Sequence, residues 1–183
     1  MANLIILEGL SRTGKSTISK TLSEKYSFKN VSIGIKKPAE VENLPDFYHG
    51  IHTASNEFYK EFKDETFILD RSFLSESVYS KFFQRKSHQT NDLIEEFLST
   101  NSFVLFFLNN DYDGYILRSP KESEPYSEND FSIQKSAFEW NFSYYKNLNP
   151  ERKNRFIEIN TSSVSLEKSI EKIEKHLQTL KFI

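Results

Sequence analysis

The chain has 183 residues, 37% of them hydrophobic and 27% charged, with a formal net charge of -2 and no cysteine. That is enough apolar material for one packed domain spanning residues 1–183, and it excludes a disulfide scaffold, a thiolate zinc site and a cysteine nucleophile. The near-neutral charge gives no electrostatic basis for tight polynucleotide binding, and the first apolar run is too short for a membrane span and lacks a basic leader, so a cytoplasmic protein without membrane contact is expected.

Short apolar runs predict strands at Leu4 to Leu7, Val31 to Ile35, Thr66 to Leu69, Phe103 to Leu108 and Phe156 to Ile159. Runs of this length without polar alternation belong to a sheet buried on both faces. Helical spacing lies between them. Ile18, Leu22 and Tyr26 recur at intervals of four; Phe47, Ile51, Ala54, Phe58 and Phe62 form a stripe entered through Asn43 and Pro45. Leu74, Val78 and Phe82 form another, as do Phe131, Phe138, Phe142 and Tyr145, stopped by Pro150. The last helix carries Leu166, Ile170, Ile173, Leu177 and Leu180, with Ser165 as its N-cap. Strand–helix alternation of this kind predicts an α/β fold: a five-stranded parallel sheet with helices on both faces.

The first strand runs into EGLSRTGKST, Glu8 to Thr17. Gly9, Gly14, Lys15 and Ser16 fit G-x-x-x-x-G-K-[ST], a phosphate-binding P-loop. Its glycines let backbone N–H groups turn inward, and the helix that follows contributes its positive end. Lys15 can reach the β- and γ-phosphates of a nucleotide, and the Ser16 hydroxyl can hold Mg²⁺. The loop also carries an arginine, Arg12, able either to stabilise charge on a transferring phosphoryl group or to face solvent.

The third strand ends in Asp70 and Arg71, within FILDRSFLSESVY. A carboxylate there lies near the metal in P-loop proteins, and open α/β sheets bind ligands at the carboxyl ends of their strands. The same pair also suits a local role, with Asp70 as helix N-cap and Arg71 in a surface salt bridge.

These two stretches resemble the thymidylate kinases. EGLSRTGKST is similar to E-G-x-D-R-x-G-K-S-T of one subgroup, and DRSFLSESVY to D-R-Y-x-x-S-x-x-A-Y, with Asp70, Arg71, Ser75 and Tyr79 matching. The resemblance is continuous from about Asn3 to Tyr79 and looser in Phe103 to Arg118 and in the closing IEINTSSVSLEKSIEKI. Deoxynucleoside kinases share the E-G and G-K-S-T elements. The resemblance implies a P-loop NTPase fold with ATP and Mg²⁺ as cofactors. ATP would be bound by Gly9, Leu10, Ser11, Arg12, Thr13, Gly14, Lys15, Ser16, Thr17 and Arg118, and the metal by Ser16 and Asp70. Catalysis would rest on Arg12, Lys15, Asp70 and Arg71. The acceptor would be held by Ser11, Lys36, Lys37, Arg71, Ser75 and Tyr79, with Tyr79 beside the sugar 2′ position. The family's usual dimer allows a homodimer. Arg118 to Asp130, RSPKESEPYSEND, fits the family's lid; with Arg12 supplying the charge, the lid need not be basic, and this one carries only Arg118 and Lys121 among acidic residues. The same segment also reads as an acidic solvated loop.

The chain departs from the family pattern in two places. Ser11 replaces an aspartate in the loop, and Lys36-Lys37-Pro38 replaces R-E-P. A nucleoside kinase would place its catalytic base at that glutamate, and a charged lysine cannot accept a proton. The exchange favours an acceptor that is already a phosphate. The span from Pro38 to Asp70 is short and leaves the base open; Phe47, Tyr48 and Phe58 can stack on one, although Phe47 and Phe58 share a stripe that suits the core better. His49 and His52 lack a third metal ligand, and Asp111 and Asp113 read as a helix-capping turn.

The expected activity is phosphoryl transfer from ATP to a deoxynucleoside monophosphate, dTMP or a relative. The alternatives are a deoxynucleoside kinase, a polynucleotide 5′-hydroxyl kinase, and a nucleotide-binding module without turnover.

Overall fold

The computed structural model describes residues 2–32, 44–82, 91–100, 102–119, 124–162 and 164–183. Lys36, Lys37 and Lys121, and the side chains of Phe47, Tyr48, His49 and His52, lie outside the described residues. The strands are β1 (Asn3–Gly9), β2 (Lys29–Ser32), β3 (Thr66–Asp70), β4 (Ser102–Asn109) and β5 (Phe156–Asn160). They form one all-parallel sheet in the order β2-β3-β1-β4-β5. The chain leaves β1 for the β2 edge, returns as β3 beside β1, then crosses to β4 on the other side. Registers Leu7↔Asp70, Gly9↔Leu108 and Asn109↔Asn160 bring the carboxyl ends of four strands to one rim of the sheet. Ligands of open parallel sheets bind at such a rim.

The helices are α1 (Lys15–Tyr26), α2 (Leu44–Glu61), α3 (Phe73–Phe82), α4 (Asn91–Thr100), α5 (Tyr112–Leu117), α6 (Glu128–Leu148) and α7 (Leu166–Thr179), with a 3-10 turn at Pro150–Arg155. Alternate strand residues point to opposite faces. Ile5, Leu7, Ile68, Val104, Phe106 and Leu108 pack on Ile18 and Leu22 of α1 and Ile173 and Leu177 of α7. Leu4, Ile6, Phe67, Leu69, Leu105 and Phe107 pack on Leu74 and Val78 of α3, Leu98 of α4, and Phe138 and Phe142 of α6. The central strands β1, β3 and β4 are therefore apolar on both sides and read as continuous apolar runs, whereas Glu158 interrupts β5 and the edge strand β2 is mostly exposed.

The second strand starts two residues before the predicted one, at Lys29, and residues 33–35 lie outside the described residues. The face of α2 differs from expectation. Tyr59 and Asn56 are buried, whereas Ala54 is exposed and Phe58 and Phe62 are 46% and 43% exposed. Tyr59 packs against Phe67 with ring centroids 5.2 Å apart, and Phe58 and Phe62 only flank that contact at 5.7 and 6.2 Å. A helix with aromatic residues on adjoining faces has no unique stripe, and the sheet selects the face. Helix α4 has no counterpart among the predicted elements; among its described side chains Ile94 and Leu98 are buried and Phe97 packs against the same core. The Ser165 cap is as expected, accepting a hydrogen bond from the Lys168 amide at 3.3 Å.

Two glycines give a test of opposite sign. Gly9 has φ +125°, and an added Cβ would lie 2.1 Å from the Leu108 carbonyl oxygen. Gly50 lies within α2, exposed, with nothing within 4 Å of an added Cβ. Gly9→Ala is expected to lower the unfolding free energy by more than about 2 kcal/mol, and Gly50→Ala to raise it by about 0.5–1 kcal/mol. Urea midpoints at unchanged slope measure both.

Candidate functional site

Strand β1 delivers the chain into the P-loop, and Gly14, at φ 89°, turns it into α1. The N-cap of α1 has no side-chain hydrogen bond. Its first-turn amides are thus left to an outside anion, reinforced by the helix dipole. Thr13 Oγ1 donates to the Leu10 carbonyl at 3.0 Å, bracing the loop. Lys15 is buried and folds back, donating to the Leu10 carbonyl and, at 3.1 Å, to Thr13 Oγ1. Burial pushes its pKa well below the usual lysine value, and the Arg71 charge pushes the same way. A cavity of about 280 Å³ opens here, lined by Ser11, Arg12, Gly14, Lys15, Ser16, Thr17 and Arg71. Gly9 contributes backbone geometry at the start of the loop, and the Leu10 side chain points into the core.

At the end of β3, Asp70 Oδ2 accepts a hydrogen bond from Ser16 Oγ at 2.5 Å, setting two hard oxygen donors side by side. Asp70 is therefore turned to the loop. The start of α3 is capped from elsewhere: the buried Glu8 carboxylate accepts from the amides of Ser72 (2.6 Å) and Ser75 (3.3 Å) and from their hydroxyls (2.7 and 2.5 Å). Arg71 has φ 78°, a conformation uncommon for a side-chain-bearing residue. Its backbone N–H still pairs with the Leu7 carbonyl at 3.0 Å, and its guanidinium donates to the Gly9 carbonyl at 3.2 Å and to Ser75 Oγ at 3.1 Å. It also lies 5.2 Å over the Tyr79 ring, whose hydroxyl is 3.4 Å from Ser11 Oγ. Arg71, Ser75, Tyr79 and Ser11 thus form one connected group. The Ser75 hydroxyl is engaged within it by Glu8 and Arg71.

Arg12, at φ 64°, leaves the loop toward α5. Its guanidinium sits 4.4 Å over the Tyr115 ring and donates to Ser119 Oγ. Arg118, beyond α5, donates to the Arg12 carbonyl (3.4 Å), to Thr161 Oγ1 (3.1 Å) and to the Thr161 carbonyl (2.5 Å). A larger cavity of about 560 Å³ adjoins the first, lined by Arg12, Gly14, Thr17, Arg118, Thr161 and Leu166 among others. Of the segment 118–130, residues 120–123 lie outside the described residues, and Glu128 to Asp130 are the first turn of α6, capped by Ser127 accepting from the Asp130 amide at 3.1 Å. Asp111 caps α5 through the Gly114 amide at 2.8 Å, as its turn predicts.

The structure brings together every predicted site residue that it describes. Glu8, Tyr115, Ser119 and Thr161 are the additions. Glu8 carries a readable signal: it shares the strand face of Leu4 and Ile6, where a charge in a buried row demands partners. Tyr115, Ser119 and Thr161 reach the loop across more than a hundred residues and carry none.

No protein-family model and no curated protein matches the chain. Solved structures do. The YorR protein of Bacillus subtilis, in complex with phosphorylated GDP, superposes with a TM-score of 0.68 at 18% identity over 98% of each chain. Thymidylate kinase of Candida albicans gives 0.62 at 18% identity, over 97% of this chain and 92% of its own. Deoxyadenosine kinase of M. mycoides gives 0.56 at 18% identity, over 96% and 99%. At such identities the likeness is one of architecture, and with the five-stranded order it establishes that this chain has the P-loop nucleotide-kinase fold.

Proposed function

We propose that the chain transfers the γ-phosphoryl group of ATP to a deoxynucleoside monophosphate, dTMP first among them. The observation that carries this reading is the lining of the smaller cavity: Arg12, Lys15 and Arg71 supply three cationic side chains, and among the described lining residues there is no carboxylate, the adjoining Asp70 being engaged by Ser16. A hydroxyl acceptor needs a base, whereas a monophosphate brings about two negative charges and an oxygen that is already ionised.

The larger cavity is the place for the nucleoside part of ATP, with its phosphates entering the smaller one past Gly14 and Thr17. Lys15 exchanges its two loop acceptors for phosphate oxygens. Ser16 and Asp70 are the residues that would hold Mg²⁺, and their adjacent oxygens suit a hard cation. When bound, that ion neutralises charge on the β- and γ-phosphates. Arg71 grips the acceptor phosphate, its plane set by the Gly9 carbonyl and Ser75. An acceptor oxygen then forms a bond to the γ-phosphorus as the bond to the β-bridging oxygen breaks, and ADP leaves with that electron pair. Arg12 stabilises charge spread over the transferring oxygens. Tyr79, tied to Ser11, stands on the sugar side and favours deoxy acceptors.

The acceptor is tested by kcat/KM for dTMP against thymidine, in wild type and in Arg71→Lys. The expected result is a preference for dTMP, with Arg71→Lys raising KM for dTMP and leaving that for ATP nearly unchanged, because a lysine lacks the planar fork. Preference for thymidine would make the protein a deoxynucleoside kinase. ADP release no greater with any acceptor than without one would make it a binding module.

Two arginines separate by kinetic constant. Arg12→Ala is expected to lower kcat on the order of a hundredfold with little change in ATP binding. Arg118→Ala, which loosens the loop and the wall of the larger cavity, is expected to raise KM for ATP by about tenfold with a smaller loss of kcat. The reverse pattern would move the catalytic charge to Arg118.

Lys15 gives a proton signature. Its ammonium is disfavoured in the free site and favoured by phosphate, so ATP·Mg²⁺ binding raises its pKa and takes up protons below the usual 10.5. Between about pH 8.5, where ATP is fully ionised, and 10.5, binding heats in two buffers of different ionisation enthalpy should come to show net uptake. Affinity should fall as pH rises. Lys15→Ala should abolish the uptake and lower kcat about a thousandfold. For the fold alone the sign is opposite: the folded chain binds fewer protons than the unfolded one, so this lysine's contribution to stability grows as pH rises toward 10.5.

A further inference from the structure

Arg12 is the longest reach in the site, and its position is set from outside the loop. An arginine on a loop samples many rotamers; one whose guanidinium sits over an aromatic face is restrained by it while its N–H groups can still donate. Tyr115 provides that face at 4.4 Å. The ring is itself immobilised: it is buried in the core, with Phe131 5.1 Å from it, Tyr112 stacked at 6.1 Å and Tyr126 stacked at 6.1 Å with an interplanar angle of 10°. Its polar groups are used as well. The Tyr115 hydroxyl accepts from the Tyr126 amide at 2.8 Å, and its carbonyl accepts from Ser119 Oγ at 3.0 Å, the same hydroxyl that receives the Arg12 guanidinium. Ser119 and Tyr126 are thus both tied to one residue, the first through its backbone carbonyl and the second through its side-chain hydroxyl.

We propose that Tyr115 is a positioning residue for phosphoryl transfer: its ring orients Arg12 toward the phosphate cavity, and its carbonyl and hydroxyl hold Ser119 and Tyr126. The inference rests on the proposed role of Arg12 and adds to it a residue that touches neither nucleotide nor acceptor. It gives the ring and the hydroxyl separate tasks. The ring acts on kcat through Arg12. The hydroxyl holds Tyr126 through its amide.

A double-mutant cycle tests this in the full chain. Tyr115→Leu is expected to lower kcat by about ten- to thirtyfold with KM for ATP changed less than about threefold. Tyr115→Phe, which keeps the face, recovers kcat to within about threefold of wild type. In an Arg12→Ala background, Tyr115→Leu costs less than about twofold more, because the group it orients is gone. An equal cost in both backgrounds would overturn the proposal and leave Tyr115 a core residue only. A second readout needs no turnover. The Arg12 Nε–H proton resonance, assigned by its loss in Arg12→Ala, is expected to be shifted upfield by the Tyr115 ring current in wild type and in Tyr115→Phe. A random-coil shift in folded wild type would equally overturn it, even if Tyr115→Leu did not fold. Wild type that transfers no phosphoryl group would sink the proposed activity, while this resonance would still decide whether Tyr115 holds Arg12.

Discussion

The geometry of the site depends on one buried carboxylate. Glu8 is fully buried, on the sheet face that packs against α3, and four donors converge on it: two amides and two hydroxyls from Ser72 and Ser75. Leaving such a group unpartnered would cost about 1–3 kcal/mol or more, so the start of α3 is held wherever Glu8 requires it. Glu8 is also the residue before Gly9, so the same contact joins the mouth of the P-loop to the end of β3. Asp70 and Arg71 sit between those anchors. Ser75 passes the constraint on, donating to Glu8 and accepting from Arg71. Arg71 is therefore positioned by a carboxylate that is not among the lining residues of the cavity.

Backbone strain is gathered at the same place. Four side-chain-bearing residues have positive φ: Arg12, Ser27, Arg71 and Lys181 among those described. Ser27 ends α1 and Lys181 follows the last helical turn, where left-handed residues are ordinary. Arg12 and Arg71 have no such excuse. Each is bound at both ends, by backbone pairing or a carbonyl contact on one side and guanidinium contacts on the other. Strained residues persist where surroundings over-determine them, and they cluster at functional sites. Here the two cost stability and aim two guanidinium groups.

Much of this was legible in the sequence. Four strands, the P-loop, the faces of α6 and α7 and the Ser165 cap follow from runs, spacings and cap residues that act over a few positions. The parts that were not legible are decided at long range. Phe58 and Tyr59 are neighbouring aromatic residues that both touch Phe67, yet the core buries Tyr59 and leaves Phe58 half exposed. Helix α4, ten residues long, sets Ile94, Phe97 and Leu98 against the core, a run too short to establish a period. Ser75 matches a substrate-contact motif, yet its hydroxyl is engaged by Glu8, a partner 67 residues away. Tyr115 looks like any core aromatic until the loop arginine is found lying on it.

The three cations of the site are held in different ways, and that difference orders the chemistry. Arg71 and Arg12 rest on strand, helix and ring, acceptors that do not move with the loop. Their charges are in place before any ligand arrives, as electrostatic stabilisation of a transferring group requires. Lys15 rests only on the loop that it serves, one carbonyl and one hydroxyl, and burial together with the Arg71 charge makes its ammonium unfavourable there. Nucleotide phosphates offer it stronger partners and relieve repulsion among all three. The site is thus least comfortable when empty. In the proposed reaction, binding energy from the donor would be drawn first to Lys15, while Arg71 would meet the acceptor phosphate and Arg12 would be left complementary to charge that develops only as the phosphoryl group moves.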